Sequence, residues 1–152
     1  MRNSIVATVL GVIILFIALI VLPSYYMGVI HWRDDANTCQ TAARNFVDMV
    51  IDNGQITDRS LSDLNLSLAG SHSTFTYEYY REQRVTNPDP VNGGVVVEWV
   101  HTEVDEDTNW YSGDLVTIVI TQQDQSLFQK LSSFLLGSSY NNIEIRLTGM
   151  VR

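Results

Sequence analysis

Basic residues, cysteine and catalytic signatures are all scarce in this sequence. Its 152 residues include 9 Lys or Arg against 17 Asp or Glu, a formal net charge of -8. A chain this acidic lacks the cations that neutralise phosphates, so nucleic acid is excluded as a partner. Cys39 is the one cysteine. An internal disulfide framework and a multi-cysteine zinc site are therefore excluded. No glycine-rich phosphate loop, dinucleotide fingerprint, zinc helix or nucleophile elbow is present. His31, His72 and His101 share no ligand spacing. No catalytic residue, cofactor site or small-molecule substrate is assigned, and the expectation is a non-enzymatic protein. Charged residues make up 17%, below the roughly 25% of typical soluble domains.

What the sequence has in place of charge is a long apolar run. Residues 5–22 hold no charged side chain, and only Thr8, Gly11 and Phe16 are not aliphatic. A membrane-spanning helix needs about 20 mainly apolar residues. The uncharged stretch onward to Ile30 supplies the length. Tyr25, Tyr26 and Trp32 follow where amphipathic rings suit the headgroup region. The run exceeds the 7–15 residues of a secretory signal, and no small-x-small cleavage site follows it. Residues 1–30 are thus read as an uncleaved anchor and residues 31–152 as an extracytoplasmic head. Arg2 on the short tail favours a single pass with the N-terminus inside and the head outside. Setting Arg2 aside leaves 8 basic against 17 acidic residues in the head, net -9.

The helix is expected to continue past the membrane. Ala36, Cys39, Ala43, Phe46, Val47, Val50 and Ile51 recur at mostly helical spacing and form one stripe for head packing. Asp34, Asp35, Arg44, Asp48 and Asp52 are expected largely off it. Asn53-Gly54 is a stop signal. Pro23 removes one backbone donor and should kink the helix or mark a joint. Gly11 and Ala18 allow a neighbouring helix to approach closely within the membrane.

A second helix is expected after Thr57, its N-cap, with an Ile56–Leu61 staple and Leu61, Leu64 and Leu68 on one face. The period then changes. Phe75, Tyr77 and Tyr79 alternate in a first strand, and Val95, Val97 and Trp99 in a second. The turn-rich residues 87–94 join them as a hairpin. Residues 114–121 form a third strand. A helix capped by Asp124 or Ser126 carries Leu127, Phe128, Leu131, Phe134 and Leu135. Ile143, Ile145 and Leu147 alternate in a fourth strand. The class is α+β: a long N-terminal transmembrane and amphipathic helix packed on a small, mainly antiparallel sheet.

In the acidic loop, Asp105, Asp107 and Asn109 place oxygen ligands at alternate positions, as a calcium loop opens. Trp110 and Val116 break the later pattern, and a solvated acidic loop is the plainer reading. The aromatic strand with Tyr80 reads as core and cross-strand pairs rather than a binding face.

This organisation resembles the type IV pilin-like plan. The blocks Phe46-Val47-Asp48-Met49-Val50-Ile51-Asp52-Asn53-Gly54-Gln55-Ile56-Thr57, Gly113-Asp114-Leu115-Val116-Thr117-Ile118-Val119 and the terminal Ile-Arg-Leu-Thr-Gly-Met-Val are similar to small single-pass proteins of Tad (tight-adherence, Flp) pilus clusters, the TadE/TadF-like pseudopilins. The resemblance implies a structural subunit in pilus or secretion-filament assembly. Its implied partners are the membrane, other pilin-like subunits, the assembly platform and copies of itself, at the cell membrane or in an extracellular filament. One feature departs from the family. Gly11 is followed at the fifth place by Phe16, and no acid precedes Asp34, so the glycine-glutamate pattern of processed prepilins is missing. The alternative is a membrane-tethered binding or sensor domain, with calcium or a peptide at the 105–114 loop.

Overall fold

Helix carries the chain from Arg2 to Asn53 with one irregularity. The computed structural model describes residues 2–88, 93, 95–104, 110–137 and 140–152. Helix α1 (Arg2–Phe16) leads into a π-helical turn (Ile17–Val21) and then helix α2 (Leu22–Asn53). The Leu22 N–H donates to Ile17 O, five residues back. Pro23 explains the widened turn. Its ring would meet the Leu19 carbonyl and it brings no N–H, so one extra residue per turn relieves both. The joint expected at Pro23 is this π turn, which ends just ahead of Leu22.

The contacts divide the chain into two units, Met1–Asp34 with Gln125–Asn141, and Asp35–Asp124 with Asn142–Arg152. The smaller unit groups residues 125–141 with the apolar segment.

In the larger unit α2 ends at Asn53, where Gly54 adopts a φ of 65° and its N–H caps Val50 O at 2.9 Å. Helix α3 (Asp58–Ala69) opens on a capping box. Thr57 Oγ1 accepts from the Ser60 N–H at 3.2 Å, and Ser60 Oγ accepts from the Thr57 N–H at 3.0 Å. Ile56, Leu64 and Leu68 are buried.

Strands β1 (Phe75–Pro88), β2 (Val95–Glu103), β3 (Leu115–Gln122) and β4 (Glu144–Met150) form one antiparallel sheet in the order β2-β1-β3-β4. The sheet is thus antiparallel throughout, and the α+β class holds. Strand β1 is shared unevenly. Phe75 to Glu82 pairs with β3, whereas Tyr80 to Pro88 pairs with β2. Beyond Glu82 the β1–β2 hairpin is therefore a two-stranded ribbon among the described residues, and Val95 through His101 are exposed on both faces.

The core lies between the second half of α2 and the β1-β3-β4 part of the sheet. Cys39, Ala43, Phe46, Val47 and Val50 are buried as the stripe predicts, against Val116, Ile118 and Ile120. Phe46 sits 5.7 Å from Tyr79, centroid to centroid. Helix and sheet approach closely at Gly149. A Cβ there would come 2.5 Å from Val47 Cγ1 and 2.7 Å from Ile51 Cδ1. Two expectations about the stripe are corrected. Ala36 is only half-buried, while Ala42 is buried. Asp35, expected off the stripe, is 2% exposed.

In the smaller unit α4 (Leu127–Leu136) opens on Ser126 rather than Asp124. Ser126 Oγ accepts from the Gln129 N–H at 3.2 Å, and Gln129 Oε1 accepts from the Ser126 N–H at 2.8 Å. The second half of this box is a glutamine, three residues after the cap.

Candidate functional site

The first half of the helical run is an uncovered apolar rod. From Ile5 to Ile20 every described side chain is exposed. One helix among the described residues is long and apolar enough to cross a membrane. The 18 residues 5–22 span about 27 Å at 1.5 Å per residue, close to the hydrocarbon thickness. The hydroxyl of Thr8 is satisfied locally, donating to Ser4 O at 2.8 Å. That removes the polar cost the run would otherwise carry in hydrocarbon. Gly11 has no neighbouring atom within 4 Å of a Cβ position, and Ala18 and Pro23 are exposed. These three candidates therefore lie on free helix surface.

Where the apolar run ends, aromatic rings collect. Phe128 of α4 packs edge-on against Tyr25, with centroids 5.1 Å apart. Tyr140 lies 4.9 Å from Phe128 and 5.3 Å from Trp32. Gly28 makes the contact possible, because a Cβ there would stand 2.5 Å from Phe128 Cβ. Gln129 Nε2 donates to Asn141 O at 3.1 Å and holds the segment that follows α4. The Tyr25 hydroxyl, through a hydrogen bond and then charge repulsion, holds the Tyr140 phenol above its ordinary range. Tyr25 and Trp32 lie in the helix just after the apolar run. Phe128 and Tyr140 join them from about a hundred residues later in the chain, a partnership no local pattern announces.

A buried carboxylate lies at the start of the head's share of α2. The His72 N–H donates to Asp35 Oδ1 at 2.7 Å, and His72 Nδ1 stands 3.2 Å from the same oxygen. A carboxylate this buried needs such partners. The pair ties α2 to the loop between α3 and β1. The imidazole is half-exposed and opens on a shallow cleft of about 350 Å³ with Ser71, Ser73 and Tyr77. Cys39 follows one turn after Asp35. Burial pushes its thiol up from 9.0 to about 12, with repulsion from Asp35 as the second cause. A thiol held protonated is a core side chain at neutral pH, not a nucleophile. That agrees with its place on the head-packing stripe.

A second polar cluster fixes the end of the acidic loop. Asp114 Oδ2 accepts from the Tyr111 N–H at 2.9 Å, and Arg81 Nη1 lies 3.8 Å from the same oxygen. The Arg81 guanidinium also lies over the Trp110 ring at 5.9 Å. The calcium candidates Asp105, Asp107 and Asn109 lie outside the described residues. Among the described residues no group of three or more His, Cys, Asp or Glu is arranged to hold a metal. The aromatic strand divides between two faces. Phe75, Tyr77 and Tyr79 pack on the core, and Tyr80 meets His101 in a tilted ring contact with centroids 3.8 Å apart.

Comparison with known proteins finds no matching family model, curated protein or solved structure.

Proposed function

We propose that this protein is a membrane-anchored structural subunit, pilin-like in plan, that acts in assembling a Tad-type pilus or a related secretion filament. The observation that carries the reading is the single helical run from Arg2 to Asn53. Its first half exposes an unbroken apolar surface, and its second half supplies the buried stripe of an α+β head. Such a helix anchors a subunit and gives neighbours a continuous packing surface, with Gly11 and Ala18 as points of close approach. The short N-terminal tail lies inside and the acidic head outside. The partners are other pilin-like subunits, the assembly platform and further copies of the chain.

Photo-crosslinkers at Gly11 and Ala18, activated in living cells, test this. The reading expects crosslinks to other small single-pass subunits or to a polytopic platform protein. Crosslinks to lipid alone, at both positions, contradict it. A second reading, a membrane-tethered binding domain, draws on the β1–β2 ribbon, whose open edge and exposed valines could receive an added strand. Saturable peptide binding by the full chain in detergent would favour that reading.

A further inference from the structure

Helix α4 leaves a second apolar surface uncovered, and it does so beside the end of the anchor. Its docking face is made by Phe128, Gln129 and Ser132, all buried. Leu127, Leu131 and Phe134 fall on another stripe at spacings of four and three residues. Leu127 is 80% and Phe134 86% exposed. Large apolar side chains this exposed, aligned on one short helix, are unfavourable in water and mark an interaction surface.

Two observations identify what covers it. The first is place. Phe128 docks at Gly28, in the last uncharged turn before His31, within the ring cluster of Tyr25, Trp32 and Tyr140. Aromatic side chains of this kind sit at headgroup level. A helix fastened there carries its free apolar stripe beside the end of the anchor. The second is charge. Lys130, the only lysine in the chain, is the single charged residue in the segment Gln125–Asn141. Removing it from residues 31–152 leaves 7 basic against 17 acidic residues, net -10. The longest stretch of the head free of acidic side chains, residues 125–143, thus contains the segment held against the anchor. An apolar stripe flanked by a lysine is the composition of a helix lying in a membrane interface.

We propose that α4 is an interfacial membrane helix, with Leu127, Leu131 and Phe134 seated at the boundary between headgroups and acyl chains. It rests on the anchor reading of residues 5–22 and adds a second lipid contact from the C-terminal third of the chain. The bilayer, rather than a second copy, is the occupant.

Depth-resolved spin labelling tests this on the full chain in phosphatidylcholine vesicles with a minority of phosphatidylglycerol. Single labels are placed by Ile13→Cys, Phe134→Cys and Ser133→Cys. The native Cys39 is buried and protonated and stays unlabelled. At residues 13 and 134 collisions with oxygen should exceed collisions with a water-soluble nickel chelate, and at residue 133 the order should reverse. Residue 134 reading like residue 133 while residue 13 remains in lipid overturns the α4 contact and leaves the anchor standing. Water-like values at residue 13 overturn both. Dipolar broadening at residue 134 without oxygen contact means that a second copy covers the stripe, and this too overturns the proposal. Leu127→Cys repeats the reading should Phe134→Cys disturb the fold.

Discussion

Residues 5–22 and 36–51 belong to one helical run, yet their side chains meet opposite surroundings. In the first stretch the large aliphatic residues, half-buried Val21 apart, are exposed all round. In the second, Cys39, Ala43, Phe46, Val47 and Val50 are buried, and Gln40, Arg44 and Asp48 face out. The backbone is helical in both. What differs is where polar residues interrupt the apolar ones. Interruption at helical intervals leaves a stripe that a sheet can cover in water. No interruption leaves a surface that only lipid or other helices can cover. One secondary structure therefore presents two kinds of surface, and composition along its length decides which.

The strongest way to break this comparison is to truncate equally in both halves. Phe46→Ala should destabilise the head by about 3–5 kcal/mol, as core aromatic truncations do. Ile13→Ala should leave head stability within about 0.5 kcal/mol. Urea unfolding of the detergent-solubilised chain, followed by tryptophan fluorescence, separates the two. Equal effects would mean that the first half is also part of a packed core.

The two close-packed glycines give a smaller contrast. Gly149→Ala drives a methyl into Val47 and Ile51. It should cost about 1–3 kcal/mol of head stability in the same unfolding assay. Gly28→Ala meets Phe128 instead. It should raise amide exchange in residues 127–136 while leaving exchange in β3 unchanged. Protection lost in β3 would show that α4 and the sheet unfold as one.

Thr57→Ala removes the capping box of α3 and should cost about 1 kcal/mol, seen as a lower midpoint at unchanged slope. The smallest effect is one of pH. The folded Cys39 pKa lies above its unfolded value, so the folded state holds the proton more tightly. Its contribution is complete below about pH 9 and is lost as pH rises towards 12. By pH 9.5 the loss should stay below about 1 kcal/mol. Cys39→Ala should abolish this slope in pH-dependent unfolding, although it lowers stability at every pH.

Features with a local cause were legible in the sequence. Thr57 and Ser126 cap because a hydroxyl precedes an apolar run. Gly54 ends α2, and the strands follow from alternation at period two. Features that depend on distant partners were not. Asp35 looks like a solvated charge beside Asp34, because His72, which satisfies it, lies 37 residues away. Ala42 is buried on the side of α2 where Leu64 and Ser67 of α3 lie close by, which spacing alone does not report. Leu127 and Phe134 read as ordinary core residues of an amphipathic helix, yet the face α4 docks with is its neighbour, through Phe128 and Ser132. The exposed valines of β2 have the same origin. The strand pattern is correct, but β3 pairs with only the first half of β1, so the outer ribbon has no covering layer among the described residues.

The central claim, that one helix passes from lipid to a water-borne core, is tested most directly by thiol accessibility along it. Single cysteines at Ile13, Phe16 and Ala18, and at Arg44 and Asp48, are challenged with a membrane-impermeant maleimide in intact and then detergent-opened proteoliposomes. The account predicts no labelling at residues 13, 16 and 18 until the bilayer is dissolved, and prompt labelling at residues 44 and 48 in vesicles whose heads face outward. Prompt labelling of residues 13, 16 and 18 in intact vesicles would contradict it.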